Sequence, residues 1–186
     1  MRLVSTAVPA LALALLASGG ARAARCTAID AMIATHLVFP CPDNNLSPVG
    51  LCTAGSVDSG PLAGATSFAA LTLTTTRVPT VFHYTGRLII TTSSGDTLTI
   101  RDRGVLDLGN RKYFEFQKVV GGTGAFAGAK GMLTSQGQLT PDPLTGFFLF
   151  EGSLDGQVCR SHGHPGGDGD DKDADDSADA EGAAAE

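Results

Sequence analysis

The sequence predicts an all-β domain that closes into a barrel, on three observations. Between residues 49 and 160, segments rich in Thr, Val, Leu, Ile and Phe alternate apolar and polar side chains, which is typical of strands with one buried face. Turn-forming residues separate these segments at short intervals. Several glycines fall inside them, where they allow a sheet to bend sharply. Closure into a barrel covers the apolar faces and removes exposed edges, and a two-sheet sandwich is the alternative.

The first 23 residues have the layout of an export signal. Arg2 is followed by an apolar run and then by the small residues Ala21 and Ala23 around a cleavage position. The apolar run is shorter than the roughly 20 residues that a membrane-spanning helix needs. We therefore expect a cleaved signal peptide at 1–23, a secreted or periplasmic mature protein, and no membrane span.

The other end of the chain is acidic and poor in large apolar residues. Between Gly166 and Glu186 there are nine acidic residues and one Lys, which give a net charge of −8. Such a composition predicts a disordered tail, with residues 161–186 outside the folded domain. Between Ala24 and Pro165 ten basic residues balance ten acidic ones, so no basic face is expected and nucleic acid is excluded as a partner.

Seven strands are expected within the barrel domain, 49–160. Their ranges are 50–57, 66–75, 80–92, 97–108, 112–120, 131–139 and 146–158. The segments between them at 93–96, 108–110 and 141–146 have the Gly, Pro, Asn and Asp residues of turns. Ahead of the barrel, in an N-terminal segment at 24–48, residues 27–37 (TAIDAMIATHL) are expected to form one short helix or a loop, and residues 41–48 a loop.

Four cysteines in an exported chain predict two disulfide bonds, for which sequence alone allows three pairings. Cys52 lies near the start of the first predicted strand and Cys159 follows the last, and these two strands adjoin in a closed barrel. We therefore expect one bond between Cys52 and Cys159, and a second between Cys26 and Cys41 that tethers the segment 24–48. The chain has no CxxC pair, so no structural metal is expected.

The glycine-rich run 121–131 (GGTGAFAGAKG) has the composition of a dinucleotide-binding turn, in which glycines let backbone amides approach a pyrophosphate. The context differs, because the following residues MLTSQGQLT show no helical periodicity and the acidic residue at the required distance, Asp142, lies between two prolines. The run is therefore predicted to connect two strands, with Phe126 as an apolar plug. No nucleotide or other cofactor is expected.

The string FxxVVGGTGAFAGAKGML, together with the preceding YTGRLIITTSSGDTLTIRDRGVLD, resembles the barrel family shared by plant allene oxide cyclases and dirigent proteins. It is still more similar to secreted bacterial members of unassigned function, and the resemblance covers residues 50–159. This resemblance implies an eight-stranded antiparallel calycin-like barrel with a hydrophobic cavity, and a homotrimer as in plant members. It assigns no catalytic residue, since the plant proteins' cavity residues have no residue-by-residue match here.

Alternation selects the candidate cavity residues. Asp102 shares a face with apolar residues, so alternation places it inward as a cavity candidate, whereas a bulge near Gly104 that turns it outward, or a salt bridge with Arg101 or Arg103, is the favoured alternative. The ligand-binding candidates that face the cavity are Tyr84, Asp102, Phe114, Phe116, Phe148 and Phe150, although for the four Phe residues a filled core fits equally well. His83 is expected on the outer face, without the partners of a hydrolase triad.

Two functions are consistent with these residues. The first is a non-catalytic barrel that binds a small apolar molecule or acts through its outer surface. The second is an isomerase or cyclase whose barrel holds a reactive intermediate in one orientation, a task that requires few catalytic groups. Asp102 distinguishes the two, because only the second function requires its proton chemistry.

Overall fold

In the computed structural model, residues 25–42, 45–143 and 146–160 are described, and the expected signal peptide and acidic tail lie outside them. Eight strands form a closed antiparallel barrel in which each strand pairs with its neighbours in sequence and the last pairs with the first. The strands are β1 Arg25–Leu37, β2 Cys52–Val57, β3 Gly64–Thr75, β4 Val81–Thr92, β5 Thr97–Asp107, β6 Lys112–Gly122, β7 Lys130–Pro141 and β8 Phe148–Arg160. The all-β barrel prediction is confirmed, and the seven predicted strands match β2 to β8 with ends within two residues. No helix in these described ranges has the length and apolar character needed to cross a membrane.

The predicted helix at 27–37 is wrong, because this segment is strand β1. Ile29, Ala31 and Ile33 are buried at alternate positions and the residues between them are exposed, which is the period of a strand. Three alanines and a methionine within the segment favour a helix by local propensity. The barrel overrides this preference, since β1 pairs with both β2 and β8 and supplies hydrogen-bond partners to two edges that would otherwise be open.

The disulfide prediction is also wrong. Cys26 is bonded to Cys159, and Cys41 is bonded to Cys52. The physical reason is the position of β1, which lies between β2 and β8, so that Cys26 and not Cys52 stands directly opposite Cys159 in the strand pairing. The first bond therefore joins the two ends of the barrel sheet, and the second fastens the β1–β2 connection to the start of β2.

One end of the barrel, here named the closed end, is filled by apolar side chains. Its two caps are Leu62, in the β2–β3 connection, and Phe126, in the β6–β7 connection, and both are almost fully buried. Phe126 belongs to the glycine-rich run, so the predicted strand connection with an apolar plug is confirmed. Below the caps the barrel interior is packed with residues at most 1% exposed, which include Ile90, Leu98, Ile100, Leu133 and Leu154.

The opposite end, here named the open end, carries the β1–β2, β3–β4, β5–β6 and β7–β8 connections. Asn45 fastens the β1–β2 connection to the outer face of the barrel, because its buried side-chain amide donates hydrogen bonds to the backbone oxygens of Ser67 and Arg87. Apolar side chains are exposed on the connections of this end, among them Phe39, Val78 and Phe147. The connections thus surround the barrel mouth with apolar surface.

Candidate functional site

The barrel interior contains a cavity of about 60 Å³ in its open half. Its walls are mainly apolar, with side chains from β1, β3, β4, β5 and β8 that include Ile33, Phe68, Leu73, Leu88, Leu106 and Phe150. The lining also contains two carboxyl groups, those of Asp102 and Glu115, which we name the carboxyl pair. Leu73, near the mouth, is 39% exposed, and the cavity therefore communicates with solvent at the open end.

The strand register explains why polar side chains converge at the floor of this cavity. Tyr84, Gly104 and Glu115 occupy one row across β4, β5 and β6, and Ser135 continues that row on β7. Asp102 lies opposite Gln117 in the next row towards the closed end. Positions two residues apart on one strand face the same side, so Glu115 and Gln117 both point inward beside Asp102.

A hydrogen-bond network connects these side chains. The Tyr84 hydroxyl donates to Glu115 Oε1 at 2.5 Å, a length typical of a hydroxyl bonded to a charged carboxylate. The Gln117 amide nitrogen donates to Glu115 Oε2 at 2.9 Å and to Asp102 Oδ2 at 3.2 Å. Gln117 is fully buried and thus holds both members of the carboxyl pair from below.

Gly104 makes the contact between Tyr84 and Glu115 possible. The two residues are on strands that are not neighbours, and Gly104 lies between them on β5. A Cβ atom at Gly104 would overlap the Tyr84 ring, so the absence of a side chain leaves the space in which the phenol crosses β5. The absence of a side chain at Gly104 therefore allows the Tyr84 phenol to reach the carboxyl pair.

Burial changes the ionisation of the carboxyl pair. Desolvation, followed by the charge of Glu115, raises the pKa of Asp102 to about 9, and Asp102 is only 4% exposed. Desolvation also raises the pKa of Glu115, but hydrogen bonds from Tyr84 and Gln117 act in the opposite direction. At neutral pH Asp102 is accordingly protonated, and Glu115, which receives more hydrogen bonds, is the member of the pair that ionises first.

The hydrogen-bond inventory supports the same assignment. Asp102 Oδ1 is buried and accepts no hydrogen bond from the residues that the structure describes. An ionised Asp102 would leave that oxygen without a donor in a site of low polarity, which is costly, whereas a protonated Asp102 donates a hydrogen bond to Glu115. Burial raises the pKa of Tyr84 well above its ordinary value and that of Tyr113 to about 12, so both phenols remain donors at neutral pH.

Three of the predicted site residues line the cavity: Tyr84, Asp102 and Phe150. The alternatives that placed Asp102 outside are not observed. The irregularity in the β5–β6 register falls between Thr99 and Ile100 and not at Gly104. Arg101 and Arg103 are exposed, on the face of β5 opposite to Asp102. His83 is exposed on the outer face, as expected.

The expected inward placement is wrong for Phe114 and Phe116. The two rings contact each other edge to face at 4.8 Å on the outer wall, and Phe116 is 56% exposed. The inner face of β6 is taken instead by the alternate positions Tyr113, Glu115 and Gln117. Phe148 is partly exposed near the open end and is not among the lining residues.

Sequence reasoning missed Glu115, Gln117, Tyr113 and Ser135. A sequence signal for the first three was present, because the apolar Val119 continues their alternation, and the structure shows Val119 to be almost fully buried. Counting back from Val119 in steps of two gives Gln117, Glu115 and Tyr113 as the inward-facing residues. The two Phe residues then face outward. Apolar character and alternation disagree on this strand, and alternation is correct.

No protein family, curated protein or solved structure matches the chain in comparisons with known proteins. Within the ranges that the structure describes, no group of three or more His, Cys, Asp and Glu side chains is placed to hold a metal ion. The chemistry of the site itself consists of apolar walls, an open mouth and a floor that holds two carboxyl groups.

Proposed function

We propose that this protein is an exported barrel that binds a small, largely apolar molecule in its open half, with a polar group of the ligand at the carboxyl pair. The observation that supports the proposal most directly is the arrangement of the cavity. Apolar walls lead to a few convergent polar groups with perturbed pKa values, which is the usual composition of a small-molecule site. Two disulfide bonds support an oxidising compartment.

The dimensions of the cavity set the class of ligand. A volume of 60 Å³ gives room for about two water molecules, since each occupies roughly 30 Å³ in the liquid. The same space accepts a short alkyl chain, and a longer ligand extends through the mouth onto the apolar surface of the open end. Phe39 and Phe147 contact each other there, with ring centroids 5.7 Å apart. On the resemblance of the string 121–131 to allene oxide cyclase and dirigent barrels, we also propose the same type of site and a homotrimer.

The chain has a built-in reporter for binding. It contains no Trp and only two Tyr residues, Tyr84 and Tyr113, and both line the cavity. Tyrosine fluorescence of the whole protein therefore comes from the site itself. Butan-1-ol, which is transparent at the wavelengths used, is expected to change this emission in a saturable way.

Filling the cavity tests the location of binding. Thr35 lines the cavity on β1, and T35F is expected to weaken butan-1-ol binding at least tenfold, because its ring occupies the space of the ligand. The matched control is A34F, since Ala34 is the adjacent residue and is exposed on the outer wall. Equal affinity of T35F and wild type in the fluorescence titration would reject the proposed site.

A second candidate function is an isomerase or cyclase, and the carboxyl pair is the observation that favours it. A buried acid that is protonated at neutral pH can donate a proton to an epoxide oxygen, while the cavity walls orient the resulting intermediate. In this case D102N is expected to retain butan-1-ol binding and to lose at least a hundredfold in turnover of an aliphatic epoxide, followed by product analysis. Absence of turnover by the wild type would leave only the binding function, and equal turnover by D102N and wild type would rule out Asp102 as the acid.

A further inference from the structure

The charges that line the cavity have a single sign. Asp102 and Glu115 are the ionisable carboxyl groups of the lining, and no lysine, arginine or histidine is among the residues that the structure places there. The basic residues nearest in sequence, Arg101 and Arg103, are exposed on the outer face of β5. A ligand in this cavity therefore experiences a negative field with no internal cation to compensate it.

We infer that the ligand of this cavity is a small cationic amphiphile, an alkylammonium whose charged head contacts the carboxyl pair and whose alkyl chain lies along the apolar walls. This inference rests on the proposed binding function and specifies its ligand class. It excludes ligands with a carboxylate head, which the charge of Glu115 repels. Neutral alcohols are expected to bind with an affinity between those of alkylammonium ions and carboxylates.

The hydrogen-bonding capacity of the floor matches an ammonium group. Glu115 receives donors from Tyr84 and Gln117, while Asp102 Oδ1 accepts no hydrogen bond. An ammonium head has three donors and no acceptor, so it satisfies carboxyl oxygens without requiring a donor from the protein. An alcohol has one donor and a carboxylate has none, and neither offsets the charge of the pair.

The aromatic residues of the lining favour the same head group. Phe68 and Tyr84 contact each other edge to face with centroids 5.9 Å apart, and Tyr113 and Phe150 form a second such pair at 6.0 Å. All four line the cavity. The electron-rich faces of aromatic rings attract cations, most strongly where water is partly excluded. These pairs reduce the desolvation penalty of a buried ammonium group.

Binding of a cation is coupled to release of a proton. Without a ligand, Asp102 holds a proton because it is buried beside the charge of Glu115. An ammonium head supplies the positive charge that allows both carboxyl groups to be ionised, so the Asp102 O–H bond breaks and the proton passes to the buffer. The other titratable groups that face the pair are the phenols of Tyr84, on β4, and Tyr113, on β6, and both stay protonated.

The test compares three ligands that share one alkyl chain: butylammonium, butan-1-ol and butanoate. Isothermal titration calorimetry at pH 7.5 in phosphate and in Tris measures both affinity and proton release, because the two buffers differ in ionisation enthalpy. We expect butylammonium to bind at least tenfold more tightly than butan-1-ol, and butanoate to bind most weakly. Butylammonium should release close to one proton and butan-1-ol none.

The double variant D102N/E115Q replaces the carboxyl pair by amides of the same shape and should reduce the preference for butylammonium over butan-1-ol to less than twofold. E151Q is the matched control, since Glu151 is an exposed carboxylate on β8, and it should retain the preference. Tighter binding of butanoate than of butylammonium, or an unchanged preference in the double variant, would overturn the inference. If the preference for butylammonium is absent while butan-1-ol still binds and T35F blocks it, the inference alone has failed; if none of the three ligands binds, the proposed function has failed.

Discussion

Replacement of the bond between Cys26 and Cys159 by C26A/C159A is expected to lower the free energy of unfolding by about 5 kcal/mol, from the entropy of the closed loop. The loop spans 133 residues, nearly the whole barrel. The same relation gives about 3 kcal/mol for C41A/C52A, whose loop spans 11 residues. Urea denaturation followed by circular dichroism measures both losses under the same conditions.

The larger effect is expected because the Cys26–Cys159 bond holds the seam where the first and last strands meet. Without it, β1 and β8 find each other in the unfolded chain only through the closure of a very long loop. The pair C41A/C52A controls for the removal of two cysteine side chains and one disulfide bond. If the two variants lose equal stability, the seam is maintained by its backbone pairing alone and the disulfide is not what closes the barrel.

The strands β2 to β8 were predictable because each satisfies two signals at once, alternation along the strand and turn-forming residues at its ends. Strand β1 satisfied only the first, and Ala28, Ala31 and Ala34 obscured it, since alanine has no preference for a strand and a strong one for a helix. The segment β1 is a strand because β2 and β8 each need a neighbouring strand for their backbone hydrogen bonds. This need arises only in the assembled barrel, so the local sequence pattern of β1 does not reveal it.

The disulfide error follows from the error in β1. With β1 treated as a separate segment, β2 and β8 become neighbours and Cys52 becomes the nearest partner of Cys159. Inserting one strand between them brings Cys26 opposite Cys159 and leaves Cys52 to bond with Cys41. Pairing of cysteines in a closed barrel therefore depends on the strand count, which has to be correct before any bond can be assigned.

The site was predictable in part, for a different reason. Asp102 is a polar residue between apolar ones on an otherwise regular strand, and its inward position follows from alternation. Glu115 and Gln117 follow from the same rule, but their neighbours Phe114 and Phe116 are more hydrophobic than they are. In most strands the apolar side chains are buried and the polar ones are exposed. At this site the polar side chains are buried instead, so hydrophobicity selects the wrong face of the strand at the candidate functional residues.

The second large effect is a dependence of stability on pH. Asp102 has a folded-state pKa of about 9, whereas an aspartate in the unfolded chain has its ordinary pKa of 3.8. Between these values the folded protein holds a proton that the unfolded chain has released, so stability is fully present below pH 4 and is lost as the pH rises towards 9. The loss is about 1.4 kcal/mol per pH unit for one proton, or about 4 kcal/mol from pH 5 to pH 8. The raised pKa of Glu115 acts in the same direction.

D102N is expected to remove most of this dependence and to be more stable than wild type at pH 8 by several kcal/mol, measured by urea denaturation at pH 5 and pH 8. The amide is neutral at every pH, its oxygen accepts from Gln117, and its nitrogen donates to Glu115 as the protonated acid does. D30N is the control, because Asp30 is exposed on β1 and its replacement should leave the wild-type dependence unchanged. The carboxyl groups of Asp58 and Asp107 have lowered pKa values, and their contributions change only below about pH 4, outside the measured range.

Wild-type stability that is equal at pH 5 and pH 8 would show that Asp102 is ionised in the folded barrel, contrary to the assignment above. The predicted gain in stability of D102N is informative about function, since most substitutions of buried residues lower stability. A buried acid whose neutral amide makes the barrel more stable does not serve the folding of the barrel. Its presence at the floor of an open cavity, held by Gln117 beside Glu115, is then explained by the ligand that the carboxyl pair receives.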